Sequence, residues 1–329
     1  AVIPSADESQ LVYDPYTRQF LALVKHGTEW GRSVWLSTSA DFKTFSELEL
    51  IFQSDEIDRE NCRRRVRKII DDPAYLTPAI VDHEDYIAEV YNMAVLPYQG
   101  LYVGFPAIFN PFGAQPPPAT NFNRINQIEL AVSRDLHNWE RVADRELFIE
   151  LEPFDGRNYG TGQLLMSGAP VVRDDGEIWC YYNALRFGSD LENYVDFRKT
   201  AELRRLGIKP EHFADSGALS LAILRPDGFV SADGEACGVI TTKSFDLRGE
   251  EIYINADATW GEIYVEIVDG ETRKAIPGFW VPAEKPAPFK GDSTRHLVTF
   301  KNPHDLVFDK PVRLRFYIYE ASLYSFWIE

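Results

Sequence analysis

Cysteine is scarce in this chain, with 3 residues in 329. Cys62, Cys180 and Cys237 are odd in number and far apart, so they suggest neither a disulfide framework nor a thiolate metal site. They read as free thiols, which favours a reducing compartment. None of the six histidines (His26, His83, His137, His212, His296, His304) forms a pair at metal-ligand spacing. No run of about 20 apolar residues is present to span a bilayer. The phosphate-binding Gly-Lys-Ser/Thr loop and the Gly-x-Ser-x-Gly nucleophile elbow are both missing. Positive charge is the minority: 34 Lys and Arg stand against 51 Asp and Glu, a net −17. Such a surface repels phosphate backbones and anionic lipid, so neither nucleic acid nor membrane is an expected partner. No metal is assigned and no cofactor is expected. A structural calcium would suit so acidic a chain, yet no loop spells a calcium motif. The chain opens at Ala1 without Met or signal peptide, which reads as a processed or truncated start.

What is present is an ample core. The hydrophobic fraction is 45%, and aromatics reach 13%, with 7 Trp, 16 Tyr and 21 Phe. Rings pack well on pleated sheets, and the length suits two domains.

An internal repeat organises the first two thirds. Its first copy runs through Val12-Tyr13-Asp14-Pro15, Gln19 to Lys25 and Ser33 to Ser39, ending in Ala40-Asp41-Phe42-Lys43-Thr44-Phe45. The second uses Met93 to Pro97, Leu101 to Phe105 and Gln127 to Ser133, ending in Arg134-Asp135-Leu136-His137-Asn138-Trp139. The third uses Ala169 to Val172, Glu177 to Asn183 and Ala218 to Leu224, ending in Arg225-Pro226-Asp227-Gly228-Phe229. Short alternating strands joined by polar, Gly or Pro turns cannot bury their faces alone, and a radial stack of such units is a β-propeller. Three copies are too few to close a ring. Either two blades are too divergent to recognise or, the preferred explanation, residues upstream of Ala1 are absent; a homo-oligomer or a second chain supplying the missing blades is the partner this would call for.

Two insertions read as helical. Glu56 to Ile70 carries Arg59, Arg63, Arg64, Arg65, Arg67 and Lys68, a run that suits a solvated face better than a site for an acidic sugar or sulfate. Asp190 to Leu206 has apolar residues at helical spacing. Pro106 to Pro118 reads as a long loop. The repeat stops near Gly238. Ile252 to Ala256, Glu262 to Val268, His296 to Phe300, Val312 to Tyr319 and Leu323 to Ile328 then alternate as strands, with Asp269-Gly270 as a turn signal. The expected organisation is all-β: propeller blades over 1–237 and a C-terminal β-sandwich over 238–329.

The ending Ser133-Arg134-Asp135-Leu136-His137-Asn138-Trp139 resembles the repeats of five-bladed β-propeller glycosidases, the invertase and arabinanase superfamily of glycoside hydrolase families 32 and 43. A bacterial glycosidase-like subgroup is similar over Glu89 to Met93, Tyr98 to Tyr102, Glu177 to Tyr182, Leu224 to Phe229, Thr241-Thr242-Lys243 and Leu323 to Phe326. The resemblance covers most of the chain after Asp7. It implies a soluble protein of the bacterial cytoplasm or periplasm acting on a carbohydrate substrate.

That chemistry needs paired carboxyl groups across a glycosidic bond. Acids just before each blade's first hairpin are the candidates. The first blade offers Asp7 and Glu8, of which Asp7 is the expected catalytic residue; Asp14, in Tyr-Asp-Pro, reads as a turn cap. The second offers Glu89 among the apolar Ile87, Ala88 and Val90, where burial would raise its pKa. In the third, Gly160 of Tyr159-Gly160-Thr161-Gly162-Gln163 stands where the resemblance implies an Asp, and Asp155 is the nearest upstream acid. Expected sugar-binding groups are Tyr91, Asn92, Arg157, Gln163, Asn183 and Arg186. The reading is a glycoside hydrolase using Asp7, Glu89 and Asp155. The alternative is a carbohydrate-binding protein or subunit that has lost one acid at Gly160.

Overall fold

The computed structural model describes residues 3, 5, 7–76, 87–114, 122–188, 209–249, 251–279, 287–300, 306 and 308–329. The insertion expected to be helical from Asp190 to Leu206 lies outside them. The described chain is all-β apart from short helices, as expected. It divides into two compact units, 1–171 with 179–222 and 172–178 with 223–329. The expected boundary at 237/238 falls inside the second.

The first unit opens with a four-stranded antiparallel meander: β1 (Gln10–Asp14), β2 (Gln19–Thr28), β3 (Gly31–Ser39) and β4 (Glu49–Phe52). Asp14 is fully buried and caps the first hairpin, accepting from the Tyr16 backbone (2.9 Å) and the Thr17 hydroxyl (2.5 Å); Tyr102 donates to it as well (2.8 Å). The meander ends on Ser39-Ala40-Asp41, where Asp41 Oδ1 accepts the backbone N–H of Lys43 and Thr44, both at 2.8 Å.

The same device closes the second copy. Asp135 Oδ1 accepts from His137 (2.9 Å) and Asn138 (2.7 Å), with Ser133 in the place of Ser39. Phe42 and Leu136 both take left-handed backbone at the matching position (φ 60 and 68). The repeat therefore reflects one turn chemistry used twice: an Asp that satisfies two backbone donors lets a non-glycine residue hold a costly φ. The third ending differs. Asp227 Oδ2 accepts instead from Ser325 (2.6 Å).

Helix α1 (Glu56–Asp71) fills the first expected helical insertion. Asp55 caps it in a reciprocal box with Asp58, and acidic residues sit in its first turn, where the helix dipole favours them. Its buried stripe is Asp58, Asn61, Cys62, Arg65, Val66 and Ile69, a helical spacing half made of polar groups. The basic run is thus not one solvated face, for Arg65 turns inward. Arg65 pairs with the fully buried Glu129 (2.6 Å), and Arg141 pairs with Glu129 and with buried Asp58 (3.0 Å). Arg145 reaches Asp58 (2.8 Å) and Asp55 (2.6 Å). Three arginines are therefore matched by three acids.

A ten-stranded sheet follows, built from β5 (Glu89–Tyr98), β6 (Leu101–Ala114), β7 (Phe122–Glu129), β8 (Ala131–Ser133), β9 (Trp139–Arg141), β10 (Leu147–Ile149), β11 (Gln163–Met166), β12 (Val171–Val172), β13 (Ile178–Leu185) and β14 (Gly217–Leu224). A short helix α2 (Pro210–Ala214) precedes β14. The expected loop at Pro106 is instead strand: β6 runs through Pro106 and Pro111 to Ala114, while 115–118 are outside the described residues. The prolines are tolerated where the ladder is irregular. Pro111 sits at a register shift against β7, and Pro106 falls where the partner changes from β8 to β7. Strand β6 is buried on both faces, with Phe105, Ile108, Phe109 and Phe112 at 0% exposure.

The second unit holds a six-stranded sheet of β15 (Ala232–Gly234), β16 (Gly238–Thr241), β17 (Ile252–Asp269), β18 (Phe289–Leu297), β19 (Val312–Tyr319) and β20 (Ala321–Ile328). The two strands expected over 252–268 are one, β17, whose first half pairs with β20 and second half with β19. Gly261 sits at that change, and a Cβ there would come within 1.8 Å of the Tyr319 carbonyl oxygen. Only glycine allows the strands to approach so closely. The strand expected over His296 to Phe300 lies earlier, as β18. On β19, Val312, Leu314, Phe316 and Ile318 face the core, and Arg313, Arg315, Tyr317 and Tyr319 alternate outward.

Candidate active site

Two cross-strand registers in the first unit bring the expected residues together. Glu89 pairs with Phe109, Phe109 with Asn126, and Asn126 with Gln163, so these four side chains share one face of β5, β6, β7 and β11. A bulge between Val90 and Asn92 adds Tyr91 to this face, where its ring stacks on Phe109 (5.8 Å, 11°).

The β2–β3 hairpin supplies the cations. Lys25 is buried; its ammonium lies 3.8 Å from the Tyr91 ring centre and 2.6 Å from Asp7. Arg32 lies over Phe109 (4.6 Å) and holds Glu89 through its backbone N–H (2.9 Å) and guanidinium (2.7 Å). The turn makes this possible. Gly31 has φ +79, and a Cβ there would strike the Glu89 carboxyl carbon at 2.5 Å. From β7, Arg124 sits 5.5 Å from the Phe109 ring centre. Arg124 Nη1 donates to the Phe122 carbonyl (3.3 Å), and its buried Nε has no partner among the described residues.

Asp7 and Glu89 are thus brought into one charged site, but Asp7 is largely exposed and Glu89 is clamped by Arg32. The residue beside Asp7 is the more distinctive. Burial pushes the Glu8 carboxyl above its ordinary range against the pull of Lys25, with the Asp7 charge adding to the rise and the Tyr91 hydroxyl opposing it. The hydrogen bond from Lys25 holds Asp7 below its ordinary range. Glu8 also takes left-handed backbone (φ 45), a conformation that costs a non-glycine residue and recurs at functional sites. Two neighbouring carboxyls are therefore driven in opposite directions. The Asp7-Glu8 pair was visible in the sequence, but nothing there distinguishes the two, because the difference comes from burial against Lys25 and Tyr91.

Asp155 stands in an exposed turn. The backbone N–H groups of Asn158 (2.9 Å) and Arg157 (2.7 Å) donate to it and hold its carboxyl low. The acid that reaches Gly160 is Glu152: a Cβ on Gly160 would lie 3.1 Å from Glu152 Oε2, and the Glu152 backbone N–H donates to the Gly160 carbonyl (2.8 Å). Sequence reasoning passed over it, since Asp155 is the nearer of the two along the chain.

The expected sugar-binding groups separate. Tyr91 belongs to the site. Among the described residues, Asn92 Oδ1 is buried without a partner, as are both side-chain polar atoms of Asn126. Gln163 donates to the Phe187 carbonyl (3.0 Å). Arg157 and Asn183 are exposed. Arg186 is buried and ties its loop together, donating to the carbonyls of Asn158 (3.1 Å), Arg157 (3.2 Å) and Asp215, with its guanidinium 4.0 Å from the Tyr159 ring centre. Among the described residues, no group of three or more His, Cys, Asp or Glu side chains is arranged to hold a metal ion.

No family model and no curated protein sequence matches the chain. Solved structures overlap parts of it. An N-acetylgalactosamine deacetylase from F. plautii is 17% identical, with 56% of this chain and 43% of that chain covered and a TM-score of 0.34. A β-1,2-mannobiose phosphorylase from Listeria innocua is 14% identical over 74% and 52%, with a TM-score of 0.36. A GH32 β-fructofuranosidase from Bombyx mori is 10% identical over 96% and 65%, with a TM-score of 0.34. The chain spans less than half of the first structure matched. Likenesses at these TM-scores carry neither a family nor an activity over to this chain. No described helix is long and apolar enough to cross a membrane.

Proposed function

We propose that the chain is a glycoside hydrolase whose sheets in the first unit are propeller blades and whose site lies around Glu8, Asp7 and Glu89. The observation that carries this reading is the convergence of three carboxyls beside the Tyr91 ring: Asp7 (2.6 Å) and Glu8 (3.9 Å) on the buried Lys25 ammonium, and Glu89 on Arg32 (2.7 Å). Glu8 is the proton donor to the leaving oxygen. An ionised partner, Glu89 or Asp7, stabilises or attacks the sugar carbon or activates water. Arg32 and Arg124 would hydrogen-bond the substrate's hydroxyls, and Tyr91 positions Glu8. Glu152 is the carboxylate beside Gly160.

A second reading is supported by the Arg32 clamp on Glu89 and by the exposed turn that holds Asp155: a site that binds saccharide without cleaving it. A hydrolysis screen on aryl glycosides and oligosaccharides separates the two. Turnover is expected, with Glu8→Gln and Glu89→Gln each lowering it about 10²–10⁴-fold. A comparable loss in Asp155→Asn would bring that residue into the machinery. Saturable sugar binding without turnover would establish the binding reading, and absence of both would reject a carbohydrate function. Activity that needs a protonated Glu8 falls as pH rises through that residue's raised pKa.

A further inference from the structure

The basic run on α1 is not explained by the site above. In a chain of net −17, six of the 34 cations lie between residues 59 and 68. Arg64 and Lys68 are one turn apart, a like-charge spacing that destabilises an isolated helix. Both line a cavity of about 410 Å³, with Arg65, Arg145, Gln127 and Glu150. That volume lies within the range of small-molecule sites, roughly 300–1,000 Å³.

The cavity wall carries unused hydrogen-bonding capacity. Arg65 is 6% exposed; its Nη2 donates to Glu129 (2.6 Å) and to the Arg145 carbonyl (2.9 Å), yet its Nη1 has no partner among the described residues. Gln127 is 4% exposed, and its Oε1 has no partner among the described residues. One is a charged donor and the other a neutral acceptor. Behind them, Arg65, Arg141 and Arg145 are matched by Glu129, Asp58 and Asp55, which leaves Arg64 and Lys68 at the mouth as the adjustable charges. Lys68 meets Glu150 at 2.9 Å with both half exposed, an exchangeable surface pair.

The geometry points to a second ligand site here, for a hydroxylated molecule bearing a tetrahedral oxyanion, a sugar phosphate or sugar sulfate. Arg64, Lys68 and Arg65 take the oxyanion, with Glu150 displaced from Lys68. Gln127 accepts from a hydroxyl, as does Glu146 at the rim. The site is separate from the Glu8 site and does not depend on the hydrolase reading.

The test is isothermal titration of the full chain with glucose phosphate, glucose sulfate, glucose and inorganic phosphate. Both esters, or one of them, should bind saturably, with glucose and inorganic phosphate each at least about ten-fold weaker. Which ester binds tighter identifies the source of the oxyanion. The double variant Arg64→Gln/Lys68→Gln, checked for an unchanged unfolding transition, should lose at least about ten-fold. Arg63→Gln/Arg67→Gln, altered on the same helix but outside the cavity lining, should change affinity less than about two-fold. No saturable binding of either ester overturns the proposal. So does inorganic phosphate binding as tightly as the esters, or equal weakening by the two double variants.

Discussion

Strands β6 and β19 are both well buried, and they were written in the sequence very differently. On β19, Val, Leu, Phe and Ile alternate with Arg and Tyr, and one face is core while the other is half open. On β6, Leu-Tyr-Val-Gly-Phe-Pro-Ala-Ile-Phe-Asn-Pro-Phe-Gly-Ala has no alternation, because both faces are covered. A one-sided strand shows its period, while a two-sided strand shows only an apolar run. The two regions also differ in what they bury. The apolar cluster around β19 has polar groups beside it, with Glu266 buried against Arg315 (2.9 Å) and Asn255 fully buried. The first unit encloses Glu129, Asp58 and Arg65, and leaves amides such as Asn126 without partners. The fully buried charges Asp58 and Glu129 lie in the first unit.

The sharpest way to break this contrast is to remove a buried charge. Glu129→Ala leaves Arg65 and Arg141 without their shared acid, and should cost about 4–5 kcal/mol of unfolding free energy by denaturant titration. A cost below about 1 kcal/mol would mean that the network is not structural. Phe316→Ala tests the apolar side of the comparison. It opens a cavity in a well-packed core and should cost about 3–4 kcal/mol, a loss insensitive to salt and pH.

A smaller effect is expected at the helix cap. Hydrogen bonds from Arg145 and from the backbone of α1 hold the Asp55 carboxyl below its ordinary 3.8. Because the folded pKa is depressed, the stabilisation is present above pH about 4 and is lost as pH falls through the folded value. Asp55→Asn keeps a capping oxygen but not the charge, and should cost about 1 kcal/mol at neutral pH for this half-exposed pair. The wild-type advantage should shrink below pH about 4. A pH-independent difference would remove the charge from the explanation.

The smallest perturbation is chemical labelling. Cys62 and Cys180 are fully buried and their thiols are pushed up to about 12, while Cys237 is exposed. Iodoacetamide should label Cys237 alone in the native protein and all three thiols in denaturant. Native labelling of Cys62 would show that α1 opens away from the sheet.

Much of the fold was legible because its signals are local. The paired Ser-x-Asp turns, the Asp14 cap, the capped helix from Glu56 and the alternation of β19 depend on residues within a few positions of one another. The candidate site was only half legible. Asp7, Glu89 and Tyr91 could be named from their place before the hairpins, but Glu8 could not be told from Asp7, nor Glu152 from Asp155. Arg186 read as a sugar ligand, and the carbonyls it donates to, at 157–158 and 215, could not be seen along the chain.

The sequence by itself determined the all-β class, the turn chemistry and the negative surface, since each follows from residue type and short-range spacing. Tertiary structure alone decided that Arg65 turns inward, that Glu89 rests on Gly31 and Arg32, and that Glu8 and Asp7 diverge. These outcomes depend on desolvation and on charges brought together from distant parts of the chain, and neither is encoded in any local window.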